Sequence, residues 1–278
     1  MRIALQAYNP AMENLGVTSP WMEPLFENFR IFFASRDFGM LLGNTLVLSL
    51  LGLLLFPMPI IVALMLNELR SQKYKRVTQS VLYLPHFISW VVFHSIVIML
   101  LGPAPNGLIN NLLQSRGIGA IPFLESNTWF RFMYVIENSW KETGWGTIIY
   151  LAALSGVDEQ LYEAAVMDGA GRFRQLVNIT IPCIMPTVVV MLILRFGSFL
   201  DSNFDQVYLM LNSLTRSVAS VFDTYIYDVG VLALFKPQPG ISNYSYSAAI
   251  GIFRSVIGLL LVTSANAFAK LVGEEGIY

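Results

Sequence analysis

Five apolar stretches, each near the ~20 residues that a bilayer core requires, alternate with polar segments along the chain. They run over residues 41–66, 80–101, 132–154, 179–200 and 245–270. The first carries Pro57 and Pro59, which predict a kink because proline withdraws a helix N–H. The third is read as a span although Glu137, Lys141 and Glu142 weaken its hydropathy. Residues 1–38 are mixed polar and aromatic, with Pro10, Pro20, Pro24 and Trp21 and an amphipathic run from Met22 to Ala34. Their opening apolar run is far too short for a signal peptide.

The polar segments orient the spans. Arg70, Lys73, Lys75 and Arg76 form the densest positive patch in the chain and place the segment after the first span in the cytoplasm. Residues 102–128 then lie outside, with Pro103, Pro105, Asn106 and Gly107 as turn formers and a short apolar run, Leu108 to Leu113. Residues 155–178 return to the cytoplasm, and 201–244 form a second external region. Within it Val218 to Phe235 is apolar but interrupted by Asp223 and Asp228, which predicts a short surface or re-entrant helix rather than a sixth span. The C-terminus falls inside.

Composition agrees with a membrane protein. Of 278 residues, 55% are hydrophobic and 13% charged, with a mean hydropathy of +0.59, whereas a soluble domain has about 25% charged residues. The expected fold is therefore all-α, a polytopic transmembrane helical bundle. A net charge of −1 and the lack of a Lys/Arg tract give no field for nucleic acid. Cys183 is the only cysteine, so an intrachain disulfide is impossible, and it reads as a small apolar filler in a span.

The longest informative polar stretch is 158–182. Asp158 can cap a short helix whose first residue, Glu159, suits the positive end of the dipole. Gly169 suits a left-handed helix terminus, and Gly171 adds freedom at the corner. A second short helix, about Arg172 to Val177, is expected before Pro182, which is tolerated in the first turn of the next helix. Ala164 and Ala165 leave a flat surface for another backbone.

In this stretch the chain resembles the inner-membrane permeases of ATP-driven (ABC) importers. Their cytoplasmic loop reads Glu-Ala-Ala, three residues, Gly, nine residues, Ile-x-Leu-Pro. Glu163, Ala164, Ala165, Gly169, Ile179 and Pro182 fall at that spacing, and Ile181 replaces the Leu. The runs Tyr83 to Trp90, Trp140 to Gly146 and Asp223 to Tyr227 look like the oligosaccharide branch of the family, nearest to importers of alginate and pectin fragments. Such permeases carry a further helix before a segment like Ala4 to Pro10. With five spans and an internal C-terminus, an N-terminal helix ahead of this sequence is accordingly expected, the alternative being a short N-terminus translocated without help.

The resemblance implies half of a transmembrane pathway in a bacterial cytoplasmic membrane, surrounded by lipid and paired with a second homologous permease. Two ATPase subunits would bind beneath it, holding ATP and Mg, and an extracellular binding protein would deliver the oligosaccharide. This chain would bind no cofactor or metal and catalyse no covalent step. Coupling would run through Glu163, Ala164, Ala165, Asp168, Gly169, Ile179 and Pro182, with Glu163 pairing to a basic group on the ATPase.

Candidate pathway residues follow from polarity at membrane depth. Arg195 and Arg254 are costly there and either meet substrate or pair with a carboxylate such as Glu137, Asp201 or Asp205. Glu137 and Lys141 are four apart and can pair. Tyr134, Trp140, Trp145 and Tyr150 can stack on sugar rings or simply pack. His86 and His94 lack metalloprotease spacing. A secondary transporter would show inverted repeats, and an embedded enzyme a nucleophile–base or metal constellation; neither pattern is visible in the chain.

Overall fold

The computed structural model describes residues 2–8, 13–14, 16–232, 243–271, 273 and 276–277. Among these the chain is helical without strands, apart from an isolated bridge between Gln6 and Trp21. A 3-10 turn at Arg2–Leu5 precedes α1 (Glu27–Ala34), which lies inside the expected amphipathic run.

Helices α2 (Asp37–Leu54) and α3 (Pro57–Asn67) together make an apolar run of 31 residues, interrupted at Leu55–Phe56. Pro57 opens α3, where its missing N–H would have no helical partner, so the prolines start a helix rather than bend one already formed.

The stretch expected as one span at 80–101 is instead two helices, α4 (Gln72–Phe87) and α5 (Trp90–Leu101), meeting at 101°. The basic cluster is correspondingly not all loop, since Lys73, Lys75 and Arg76 lie inside α4. The break has a local cause. Pro85 removes one helix hydrogen bond, Ile88 is extended, and the Ser89 hydroxyl accepts the N–H of Val92 at 3.3 Å to cap α5.

Helix α6 (Leu108–Ser115) covers the short apolar run expected to be external. The Asn110 side chain holds it by donating to Gly102 O and Ile121 O and accepting from Ile121 N. Helix α7 (Asn127–Ser155) runs unbroken for 29 residues despite its charges. There follow α8 (Glu159–Met167), α9 (Arg172–Gln175), a π turn at Leu176–Thr180, and α10 (Ile181–Gly197).

The apolar run Val218 to Phe235 is not one helix. It divides into the end of α12 (Arg216–Ala219) and α13 (Phe222–Gly230), preceded by α11 (Phe204–Met210); residues 233–235 lie outside the described residues. Helix α14 (Asn243–Leu271) ends the fold.

Two compact units divide the chain. The first comprises Met1–Leu50, His94–Tyr134 and Ser198–Leu260. Its core is Phe32, Leu41, Phe222, Tyr246 and Ile250, and Phe32 sits edge-on to Phe38, Phe222 and Phe253 with ring centroids 5.1–5.9 Å apart. Buried Asn44 in α2 donates to Ser217 O and Ser220 O, and Thr45 accepts from Phe222 N. These bonds satisfy backbone groups where α12 gives way to α13, and so explain why that run breaks there.

The second unit comprises Leu51–Phe93, Val135–Gly197 and Leu261–Tyr278, around Ala63, Tyr150, Leu154 and Ile184. Gly146 lets α7 approach α3 closely, since a Cβ there would meet Pro59 side-chain carbons at 3.0 Å.

Candidate functional site: the 158–182 loop and the charges of the long helices

Helix α8 is built as its residues require. Asp158 Oδ1 accepts the Gln160 N–H at 2.9 Å, capping its start. At its end Gly169 takes φ +75°, the Gly169 N–H reaches Val166 O at 3.0 Å, and the Ala170 N–H reaches Ala165 O at 2.8 Å. That pair of bonds is the Schellman closure, which a residue with a Cβ enters only with strain. Asp168 is the C-cap, exposed to solvent.

No side chain of α8 is buried. Glu163 and Ala164 are exposed and Ala165 half-exposed, while Val166 and Met167 are 61% and 88% exposed, and nearby Phe173 78%. These apolar side chains stand open on short helices.

The second short helix expected after Gly171 is not separate. Four α-helical residues pass through the π turn directly into α10, giving a continuous 26-residue element, Arg172–Gly197. Pro182 offers no N–H for the ordinary helical bond, and the wider turn just before it absorbs the mismatch. Ile179 lies within this turn. One side-chain bond ties the two arms of the loop together, between the Tyr162 hydroxyl in α8 and Thr180 Oγ1 at 2.9 Å. Thr180 itself is buried.

The runs Tyr83 to Trp90 and Trp140 to Gly146 form one clasp. Lys141 is only 4% exposed, and its ammonium donates to Pro85 O, His86 O and Ile88 O at 3.2, 2.8 and 2.6 Å and lies 5.2 Å from the Trp90 ring centroid. Its three protons match three carbonyls around the break between α4 and α5, of which the Pro85 carbonyl also accepts the Ile88 N–H at 3.3 Å. Lys141 thus turns to the backbone rather than to Glu137, contrary to the expected pairing. His86 stacks on Trp145 at 4.6 Å, and its Nδ1 lies 3.1 Å from Glu142. Gly144 faces the Leu82 carbonyl so closely that a Cβ would collide with it.

Of the other candidate residues, Arg254 lies in an ion pair with Asp201 at 3.0 Å and another with Asp223, and the Ser202 N–H donates to the second oxygen of Asp223. Arg195 is half-buried, with its guanidinium across Gly52. Tyr134 and Glu137 are buried, and the Tyr134 carbonyl accepts from Gln206. Trp140 is exposed and meets Phe93 edge-on at 5.2 Å, while Asp205 is exposed in the first turn of α11. Asp228, on α13, pairs with Arg216 at 3.3 Å; burial pushes its carboxyl above the usual range and Arg216 pulls it down. No group of three or more potential metal ligands occurs among the described residues.

Sequence reasoning missed Asn44, Thr45, Ser89 and Tyr162. Polar residues inside apolar runs were the available signal for the first two. The partners of all four lie elsewhere in the chain or depend on a break that pattern alone does not place.

Among the described residues, long apolar helices without strands, joined by a capped and exposed loop helix, define a polytopic helical membrane protein. The chain belongs to the family described as the binding-protein-dependent transport system inner membrane component, whose pattern matches residues 55–274. It is 49% identical over 278 residues to Protein LplB of Bacillus subtilis (strain 168), covering 99% of this chain and 83% of that protein. Similarity is comparable, 47% over 277 residues, to the polygalacturonan/rhamnogalacturonan transport system permease protein YteP of the same organism, at 99% and 82% coverage. Among solved structures, a chain of a bacterial alginate ABC transporter in complex with alginate pentasaccharide-bound periplasmic protein shares 39% identity and a TM-score of 0.82, over 91% of this chain and 85% of that one.

Proposed function

We propose that this chain is the permease subunit of an ATP-driven importer of oligosaccharides that contain uronate residues. The observation that carries the reading is the joint similarity to a polygalacturonan/rhamnogalacturonan permease and to an alginate transporter, along nearly the whole chain.

Coupling would pass through α8. Glu163, Val166 and Met167 would seat in a groove on an ATPase subunit, with Ala164 and Ala165 allowing close approach and Gly169 setting the bend. Closure of two ATPases would then move each loop as a rigid body. ATP and the loaded binding protein would both have to favour the same state, since a ligand shifts an equilibrium only through differential affinity. The C-terminus would be cytoplasmic. Five spans, including α7 and the bent pair α4–α5, would face a second permease.

Arg195 is the residue that would meet a uronate carboxylate, because a guanidinium recognises that group bidentately. The assembly, purified with its paired permease, ATPases and binding protein and placed in proteoliposomes, should take up trigalacturonate with ATP and without an ion gradient. Arg195→Gln should lower that uptake about tenfold, the scale of one lost charge-assisted bond, while galactotriose uptake and thermal stability hold. Uptake driven by an ion gradient alone would reject the ATP-driven reading. Equal losses for both sugars with a lower melting temperature would make Arg195 structural.

A further inference from the structure

Helix α6 begins at the depth where α5 ends. Apolar side chains of α5 stay exposed as far as Ile98 and Met99, and the Gly102 N–H then closes the helix on Ile98 O at 2.8 Å. The chain doubles back at once. Gly107, the residue before α6, packs so tightly on the Gly102 backbone that a Cβ there would collide with it.

The inner side of α6 is pinned by buried Asn110, whose amide donates to both Gly102 O and Ile121 O. The Ile118 N–H reaches Leu113 O at 2.9 Å and turns the chain back past the helix. Helix α7 starts soon afterwards. Trp129 in its first turn packs edge-on against Phe123 at 4.9 Å and Phe132 at 5.4 Å. Tryptophan with aromatic neighbours collects where membrane meets water, because the ring is apolar and its N–H is not. The elements on either side of α6 thus carry the marks of a membrane boundary.

The faces of α6 sort in the same way. Leu108 and Leu112, one turn apart, are 51% and 53% exposed, with exposed Ile109 beside them. Asn111 and Gln114 lie on the other arc, also exposed. Arg116, the C-cap, is exposed and is the single charge in residues 102–124. So little charge argues against a water-soluble protein as the occupant of the apolar arc, since such a contact keeps a polar rim. A cation at the end of an apolar arc suits a lipid, whose phosphate lies above its acyl chains.

We propose that α6 is an interfacial helix seated in the headgroup–acyl boundary of the bilayer. Leu108, Ile109 and Leu112 dip among the acyl chains, and Arg116 meets phospholipid phosphate. The helix then continues the lipid contact of α5 around the turn and anchors the connection to α7. This goes beyond the sugar-importer reading and holds whatever solute is carried, so failure of one leaves the other standing.

The test is electron paramagnetic resonance on the complete assembly, without binding protein, in nanodiscs of phosphatidylethanolamine and phosphatidylglycerol. Nitroxide labels are placed singly at Leu108→Cys, Leu112→Cys and Gln114→Cys, with Cys183→Ser and the partner subunits' cysteines replaced. Oxygen, which concentrates among acyl chains, and a nickel chelate, which stays in water, serve as collision probes. Oxygen collisions should dominate at positions 108 and 112, and nickel collisions at 114. Adding binding protein should leave the pattern unchanged.

Nickel-dominated collisions at both leucine positions would show an arc open to water and overturn the proposal. Weak collisions with both probes there would mean that a protein subunit covers the arc, and a change seen only with binding protein would assign it to that protein; either result also overturns it. Leu108 and Leu112 are both surface positions, so one label decides the matter if the other prevents assembly.

Discussion

Lys141 illustrates how a buried charge is kept in this chain. Its ammonium is compact enough for three carbonyls to converge on one nitrogen, and the site is nearly closed to solvent. Lys141→Met would leave the His86 and Ile88 carbonyls short of a donor at the break between α4 and α5, while Pro85 O keeps the Ile88 N–H, costing about 2–4 kcal/mol on the scale of buried unsatisfied groups. Lys141→Arg should not restore the loss, because the planar guanidinium spreads its donors over a fork. Thermal unfolding of the solubilised chain checks this, with melting lowered in both variants; unchanged melting in Lys141→Met would mean that the carbonyls find other partners. The sequence pattern placed Lys141 and Glu137 on one helix face. It could not place the carbonyls, since these become available only where α4 ends early.

At the scale of elements, helices whose causes are local were legible. Asp158 and Gly169 bound α8 as expected, because a cap and a positive-φ glycine act within a few residues. Elements decided by distant contacts were not. The break between α12 and α13 depends on Asn44, over 170 positions away, and the π turn at Leu176–Thr180 replaces a separate helix because Arg172–Gly197 continues through it. The two arms of the loop meet through Tyr162 and Thr180, which should make α8 move with α10 rather than independently. Tyr162→Phe removes that bond, at a cost of about 0.5–1.5 kcal/mol, and should lower sugar transported per ATP hydrolysed while membrane insertion and ATPase association persist. An unchanged ratio would show that the backbone of the π turn alone transmits the movement.

On the scale of the whole molecule, the proposed account makes the exposed helix α8 the point at which ATP energy would enter. Family membership was legible from a spacing of charged, small and proline residues over twenty positions, and the match over residues 55–274 agrees with it. Gly169→Pro tests the account most directly, because proline cannot adopt φ +75° and must undo the closure of α8 without altering any long helix. In proteoliposomes holding the complete assembly, the variant is expected to insert normally and hydrolyse ATP while losing sugar uptake. Wild-type uptake by Gly169→Pro, with normal association of the ATPase subunits, would contradict coupling through this loop.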